Sequence, residues 1–218
     1  MKILVLTLST PNILEYSKYT FAINKKYCDT HSYDFINYTY TLDDTRHPAW
    51  SKIKAIQKHI NNYDWIMWID ADAIFLNHDI KIESLLDEKY NVIISKDVWE
   101  NINSGVFLIK GKTEWSSYFL TEVYNQTQFI NHDYWWEQAS IMHLYDINQE
   151  ISKKIKLINY SNINTVDYFN RNNCANAYIN YSINDFVLHL ARVNNIDRST
   201  VFKHFYNNIA GVKNDISK

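Results

Sequence analysis

The chain contains 218 residues, of which 46% are hydrophobic and 16% aromatic, so it can bury one sizeable core and we expect a single domain over residues 1–218. The formal net charge of -2 argues against nucleic acid or an anionic membrane as the main partner, because both select basic patches. Two cysteines are too few for a disulfide framework, and we interpret Cys28 and Cys174 as small core residues of a reduced, intracellular protein.

The amino-terminal third alternates apolar runs with helical spacing. The predicted elements, in chain order, are a strand at 2–8, a helix at 12–31, a strand at 34–40, a helix at 49–62 and a strand at 65–69. This β-α-β-α-β order predicts an α/β fold with a mixed, mostly parallel sheet flanked by helices. Ligands of such sheets bind beyond the carboxyl ends of the strands, so the residues after Ile69 are candidates for a site.

The rest of the chain is less regular. We predict a short helix at 82–86, strands at 91–95 and 105–109, helices at 113–125 and 136–148, a strand at 154–158, a strand at 185–190 and a helix at 197–208, with an irregular asparagine-rich stretch up to residue 182. The first apolar run is too short for a signal peptide, and no run approaches the roughly 20 apolar residues of a membrane span. We therefore expect a cytoplasmic protein without a transmembrane segment.

The segment WIMWIDADAIFLN, residues 65–77, ends a buried strand in two carboxylates. Burying Asp70 and Asp72 together is unfavourable unless a cation lies between them. Residues two apart in extended backbone point to the same side, so we expect both aspartates to face one ion and one ligand. Their oxygen atoms suit Mg²⁺ or Mn²⁺, and an added imidazole favours Mn²⁺. The alternative is a solvated turn at a strand end.

The chain has only three glycines, and they form neither GxGxxG nor GxxxxGK[ST]. Those glycine-rich loops let backbone approach phosphates closely. Their absence argues against a dinucleotide-binding or P-loop protein. A phosphorylated ligand would therefore have to be held through a metal ion.

Five further segments carry a resemblance to a known family: HPAWSKIKAI at 47–56, YDWIMWIDADAIFL at 63–76, INSGVFLIK at 102–110, WWEQASIMHLY at 135–145 and FVLHLA at 186–191. In this order they resemble glycosyltransferase family 34, which contains fungal galactosyl- and α-mannosyltransferases and plant xyloglucan xylosyltransferases. The similarity covers residues 2–192. It implies a GT-A fold, a UDP- or GDP-linked sugar donor, a Mn²⁺ ion, a glycan acceptor and retention of anomeric configuration.

The resemblance also assigns roles to four residues expected to bind the metal or the donor phosphates. It places Asp70 and Asp72 in the D-x-D motif, with Asp72 on the metal and Asp70 on the metal or the donor's ribose. His189 matches a late histidine that supplies the third protein ligand. Lys52 matches a basic residue facing the donor phosphates or sugar. Without the resemblance, His189 reads as a core or strand-edge histidine and Lys52 as a surface lysine on a helix.

Two more blocks are expected to border the donor sugar. Asn103, Ser104 and Gly105 match a loop in which glycine allows close approach of backbone, and a plain turn is the alternative. Glu137 and Gln138 match an acidic block near the anomeric carbon. Here the chain departs from the family pattern, because Trp136 stands in place of a second acid, which leaves the role of Glu137 open.

Aromatic residues suggest further contacts. Five tryptophans could offer flat faces to pyranose rings, although most aromatics are core residues, and we favour Trp136 or Trp99 near the acceptor path; the five are Trp50, Trp99, Trp115, Trp135 and Trp136. The choice between uridine and guanosine is expected to depend on Thr7, Ser9, Thr10 and the region near Tyr33. The closing helix carries apolar residues at near-helical spacing, which indicates a docking face: Val201, Phe202, Phe205 and Ile209.

Two other functions remain open at this level. Phosphatases of the haloacid dehalogenase type also end a buried strand in D-x-D, but on their first strand and with Thr or Val two residues after the second acid. Here Asp70 follows the third predicted strand, and Ile74 stands two residues after the second acid, in place of Thr or Val. A module that binds a nucleotide sugar or glycan without turnover is the second alternative.

Overall fold

The computed structural model describes residues 1–97, 100–166, 182 and 184–209. The predictions for Cys174 and Trp99 lie outside the described residues. Cys28 is buried in the first helix, as predicted. Among the helices of the described part of the chain, none has the length and apolar character needed to cross a bilayer.

A six-stranded sheet forms the centre of the fold. Its strands are β1 (Ile3–Leu8), β2 (Asp34–Tyr38), β3 (Trp65–Ile69), β5 (Val92–Lys96), β6 (Ile102–Lys110) and β7 (Ile155–Ile158), in the spatial order β2-β1-β3-β6-β5-β7. Only β6 runs against the others, because it pairs antiparallel with both β3 and β5. The predicted mixed, mostly parallel sheet is confirmed. The amino-terminal end of β6 consequently lies at the edge where β1 and β3 end.

Seven α-helices accompany the strands in the described residues: α1 (Leu14–His31), α2 (Ser51–His59), α3 (Glu114–Tyr124), α4 (Trp136–Ile147), α5 (Gln149–Ser152), α6 (Tyr160–Ile163) and α7 (Asn195–Ile209). Apolar residues on the two faces of the sheet form two core clusters. A third cluster joins α1 to α7, where Phe202 and Phe205 are buried against residues such as Tyr16 and Ile23. The docking face predicted for the closing helix is thereby confirmed.

A second, three-stranded sheet has the order β4-β9-β8 and contains β4 (Ala73–Phe75), β8 (Thr165–Val166) and β9 (Val187–His189). The antiparallel pairing of β4 with β9 sets Ala73 opposite His189. Asn24 of α1 fixes β4 in place, because its side-chain amide donates to the Ala73 carbonyl and accepts from the Phe75 N–H, both at 3.0 Å. This small sheet brings a histidine from late in the chain to the residues that follow β3.

Several predictions of local structure were wrong. Residues 103–105 lie inside β6, not in a loop or a turn, because ladder partners on β5 extend that strand on its amino-terminal side. The short strand β4 was missed. The stretch expected to be irregular begins with α6 and β8. The second helix begins later than predicted, because a 3-10 turn at Pro48–Trp50 precedes it.

Candidate active site

A cavity of about 320 Å³ opens at the edge of the large sheet where β1 and β3 end. Its polar wall contains every residue that the sequence assigned to the site: Lys52, Asp70, Asp72, Asn103, Ser104, Gly105, Glu137, Gln138 and His189. Of the residues expected to influence the choice of nucleotide, Ser9 and Thr10 also line it, whereas Thr7 is buried outside the lining and Tyr33 packs in a core cluster. The parallel strands thus bring residues from across the chain into one space.

The acidic pair lies in a turn directly after β3. The Ala73 N–H donates to the Asp70 carbonyl at 3.0 Å, so the expectation of extended backbone was wrong. The Asp70 N–H donates to the Gly105 carbonyl at 2.8 Å, and the Trp68 indole N–H donates to Asp70 Oδ1 at 2.6 Å. These bonds fix the turn to β6 and fix the Asp70 carboxylate. Both aspartates still face one space, but because the turn folds them together.

Asp70, Asp72 and His189 form a cluster suited to a divalent cation. One ligand atom from each lies within 4.8 Å of the others. His189 Nε2 lies 3.2 Å from Asp72 Oδ1 and 4.0 Å from Asp70 Oδ2. Two carboxylates and an imidazole are a donor set that Mn²⁺ and related ions accept. No other group of this kind occurs in the part of the chain that the structure describes.

Hydrogen bonds identify which nitrogen of His189 is available for a metal. The Gly105 N–H donates to Asn103 Oδ1 at 2.9 Å, and Asn164 Nδ2 donates to the same oxygen at 2.8 Å. Asn164 Oδ1 must then accept the 2.8 Å bond from His189 Nδ1. Since Nδ1 carries the proton, neutral His189 presents an unprotonated Nε2 to the aspartates, which is the form that binds metals.

Gly105 leaves the space that the His189 ring occupies. A Cβ atom at position 105 would lie 2.2 Å from His189 Cε1 and 2.8 Å from Nδ1. Because His189 is buried and held by Asn164, a larger residue at 105 would displace the imidazole. The glycine therefore permits close approach of a candidate ligand residue. Its expected contact with a donor sugar stays a prediction.

Arg198 of α7 binds the other oxygen of Asp72. Its Nη2 lies 2.5 Å from Asp72 Oδ2, and its Nε donates to the Leu190 carbonyl at 3.0 Å. Burial alone would raise the pKa of Asp72, but its interactions with His189 and Arg198 outweigh it and lower that pKa to about 2. Asp72 is therefore ionised at neutral pH, with Oδ2 paired and Oδ1 directed to the cluster.

Lys52 contacts three parts of the site: the acidic turn, β6 and α4. Its Nζ lies 2.7 Å from Glu137 Oε1, 3.2 Å from Asp70 Oδ1 and 2.9 Å from the Ser104 carbonyl. Burial favours neutral lysine, but the two carboxylates outweigh it and raise the Lys52 pKa, so the ammonium stays charged. This ammonium connects the acidic turn, β6 and α4. The expected contact of Lys52 with donor phosphates stays a prediction.

Glu137 and Gln138 begin α4 and bind Ser104. The Ser104 hydroxyl donates to Glu137 Oε1 at 3.0 Å, and the Ser104 N–H donates to Gln138 Oε1 at 3.0 Å. Because an N–H can only donate, the Gln138 amide is oriented with its Nε2 donor away from Ser104. Glu137 Oε2 is buried without a hydrogen-bond partner among the described residues. Burial raises the pKa of Glu137 against the opposing effect of Lys52.

The sequence analysis missed two residues of this site, Asn164 and Arg198. Asn164 lies in the stretch expected to be irregular, and Arg198 was counted only as part of a docking helix. Both act on residues at least 25 positions away in the chain, as the 2.8 Å bond to His189 and the 2.5 Å bond to Asp72 indicate. No local pattern signals such a contact.

Residues 1–91 and 85–199 match the model of the galactosyl transferase GMA12/MNN10 family. The chain belongs to this family. Members with similar sequences include galactomannan galactosyltransferase 1 of Cyamopsis tetragonoloba, which is 29% identical over 105 residues, or 43% of this chain and 24% of the relative. An uncharacterized alpha-1,2-galactosyltransferase of Schizosaccharomyces pombe is 25% identical over 186 residues, or 66% of this chain and 48% of the relative.

Among solved structures, a glycosyltransferase involved in the glycosylation of the major capsid of PBCV-1 superposes with a TM-score of 0.75 at 17% identity, covering 94% of this chain and all of that one (100%). Agreement at this level of identity concerns the fold, and it confirms the GT-A fold expected for the family. The chain matches only 24% of the length of the Cyamopsis tetragonoloba relative. The family assignment removes the phosphatase alternative, and the placement of Asp70 after the third strand agrees with that.

Proposed function

We propose that this protein is a metal-dependent, retaining glycosyltransferase that moves a hexose or pentose from a UDP- or GDP-linked sugar to a hydroxyl of a glycan. The observation that carries the proposal is the cluster of Asp70, Asp72 and His189 in the same cavity as Glu137 and Gln138. Family membership and the GT-A fold support the same reaction class.

The metal end of the cavity suits the leaving group. Cleavage of a sugar–diphosphate bond develops negative charge on the diphosphate, and a bound Mn²⁺ or Mg²⁺ supplies a counter-charge there. Asp70 Oδ2, Asp72 Oδ1 and His189 Nε2 are the atoms that would hold it. The imidazole favours Mn²⁺ over Mg²⁺. Lys52 keeps the Asp70 carboxylate in place and adds positive charge beneath the site.

Glu137 and Gln138 suit the sugar end. As a sugar–diphosphate bond breaks, the sugar gains oxocarbenium character, which a nearby acceptor oxygen stabilises. Glu137 Oε2 is the candidate acceptor, since Lys52 and Ser104 use only Oε1; Oε2 is buried, so a movement of the side chain would have to bring it to the sugar. Gln138 offers its Nε2 to a sugar hydroxyl, because Oε1 accepts from Ser104. Retention is supported by the family resemblance.

The second candidate function is binding without turnover. The observation that favours it is the ion pair of Glu137 with Lys52 at 2.7 Å, which stabilises a charge that catalysis would have to use. This chain also has Trp136 at the position where the family block usually has a second acid. Such a module would bind donor or glycan in the same cavity and release them unchanged.

Ligand binding followed by product analysis tests the proposal. Thermal unfolding would be measured with each of several UDP- and GDP-sugars in the presence of Mn²⁺, because a ligand at 100 times its Kd adds about 2.7 kcal/mol of apparent stability. The donors that stabilise the protein would then be incubated with it, with and without a mixture of glycan acceptors, and assayed for release of UDP or GDP. We expect both stabilisation and release. Stabilisation without release would favour the binding module, and no stabilisation by any donor would contradict both.

A further inference from the structure

The mouth of the cavity carries an aromatic wall that the donor chemistry does not use. The wall consists of Tyr134, Trp135 and Trp136, which precede and begin α4 and all line the cavity. Trp136 directly precedes Glu137 in the chain. The wall therefore adjoins the end of the cavity where the sugar of a donor would react.

Trp136 is held in place from outside the cavity. Its indole stacks on the His47 imidazole, with ring centroids 3.7 Å apart and planes inclined by 1°. His47 is itself fixed, because its Nδ1 accepts from the Ala49 N–H at 3.3 Å. Since His47 covers one face of the indole, the surface that Trp136 gives the cavity is its other face or its edge.

The backbone at Trp136 is strained. Its φ of 33° lies in the left-handed region, which bulky residues rarely adopt and which costs of order 1–3 kcal/mol. The stack on His47 and the bonds of Ser104 to Glu137 and Gln138 hold this conformation. Strain at a bulky residue between an aromatic wall and the candidate catalytic pair indicates that the ring's position serves a ligand.

The other two rings complete the wall. Tyr134 is 75% exposed, the highest value among the exposed large hydrophobic side chains of the described residues. Trp135 is half-buried, and its ring is stacked with His132 at 5.6 Å and 16°. Apolar rings kept accessible beside a polar cavity mark a binding surface rather than core packing.

We propose that Tyr134, Trp135 and Trp136 form the subsite for the pyranose ring of the glycan acceptor. A pyranose presents a face of C–H groups that packs on aromatic rings, while its hydroxyls face outward to polar partners such as Gln138 Nε2. The second substrate must also enter the cavity that holds the triad, and the wall lines that cavity with Tyr134 exposed to solvent. That the bound saccharide is the acceptor rests on the proposed function, but saccharide binding itself can be measured without any donor.

Tryptophan fluorescence titration with mannobiose, lactose, xylobiose and cellotetraose tests the subsite. The wild type is expected to show saturable quenching with at least one of them. Tyr134→Ala and Trp135→Ala should weaken that binding about tenfold, because each removes one ring face. Tyr118→Ala is the matched control: Tyr118 is 48% exposed on α3, outside the cavity lining, and its loss should leave the affinity at the wild-type value.

The outcomes separate this proposal from the proposed function. No quenching with any of the four saccharides, or unchanged affinity in both wall variants, would overturn the subsite. A loss of UDP or GDP affinity as large as the loss of saccharide affinity would show general damage to the cavity and would also overturn it. Saccharide binding that depends on the wall, in a protein that releases no UDP or GDP when donor and bound saccharide are both present, would keep the subsite and contradict the transferase.

Discussion

At the scale of single residues, the side chains that position the candidate metal ligands are as informative as the ligands. The Gly105 N–H donates to Asn103, which orients Asn164, and Asn164 in turn accepts from His189 Nδ1. A backbone amide thus determines that Nε2 of His189 faces the aspartates. The D-x-D pair could be recognised from sequence, because two carboxylates at the end of a buried strand are chemically unusual. Asn164 could not, because an asparagine in a polar stretch has no distinguishing local pattern.

Asn164→Leu should lower Mn²⁺ affinity by about 10- to 100-fold, since the His189 tautomer and ring orientation lose their partner. Asn164→Asp keeps an acceptor for Nδ1 and should retain more of the affinity. Asn162→Leu changes an exposed asparagine on α6 and serves as the control. Isothermal titration with Mn²⁺ in the absence of donor measures all three. Equal affinities for wild type and Asn164→Leu would show that His189 needs no such partner.

Lys52→Met should destabilise the fold by about 3–5 kcal/mol, because it leaves the carboxylates of Glu137 and Asp70 without their shared buried cation. Lys58→Met on the exposed side of α2 is the control and should have little effect. Adding Glu137→Gln to Lys52→Met should restore part of the loss. Urea unfolding gives the free energies. A Lys52→Met protein as stable as the control would mean that the buried network is not an ion pair.

At the scale of elements, the main lesson concerns which contacts are local. The bounds of strands and helices with clear periodicity were predicted within a few residues, because the spacing of their apolar residues is visible in a short stretch of sequence. The small sheet was not, because β4 has only three residues and its pairing with β9, which lies in the predicted strand at 185–190, joins positions more than 100 residues apart. That sheet, together with α7, brings His189 and Arg198 to Asp72. The elements that carry His189 and Arg198 were thus predicted, whereas their contacts with Asp72 depend on long-range pairing that sequence patterns do not reveal.

The loop between β2 and α2 provides a test at this scale. Asp43 accepts hydrogen bonds from Thr45 and Tyr124 and lies beside Arg46. Burial opposes ionisation, but these partners outweigh it and lower the Asp43 pKa to about 2. A depressed carboxyl pKa stabilises the fold above the unfolded value of about 4, and that contribution disappears as the pH falls towards 2.

Asp43→Asn should therefore lower the urea midpoint at pH 7, and the difference from wild type should shrink steadily below about pH 4. Asp44→Asn, next in the chain and exposed, is the control and should show no such narrowing. Unfolding curves at pH 7, 4 and 3 suffice. A difference between Asp43→Asn and wild type that stays constant over this range would mean that the carboxylate charge does not hold the loop.

At the scale of the whole molecule, shared core contacts connect the two sheets and the helices of the described residues. α1 packs on both sheets' strands, since Asn24 binds β4 while Tyr27 and Cys28 lie in the cluster under β1 and β3. The third cluster then ties α7 to α1. One domain over residues 1–218, expected from length and composition, stays a prediction.

A single domain should unfold in one cooperative step. Urea curves followed by tryptophan fluorescence and by far-ultraviolet circular dichroism should coincide, because the tryptophans are distributed over both core clusters and the cavity. Two separate transitions, or curves that differ between the probes, would show that α7 and the small sheet unfold independently of the large sheet.

The most direct test of the account is donor hydrolysis as a function of Mn²⁺ concentration, measured for wild type, Asp72→Asn and Asp79→Asn. Asp72→Asn keeps the shape of a candidate ligand and removes its charge, whereas Asp79 is exposed outside the cluster and serves as the control. We predict that wild type and Asp79→Asn require Mn²⁺ and lose activity in chelator, and that Asp72→Asn is slower by at least about 100-fold at every Mn²⁺ concentration. Wild-type turnover that persists in chelator, or an Asp72→Asn rate equal to wild type, would contradict a catalytic metal site at the acidic pair.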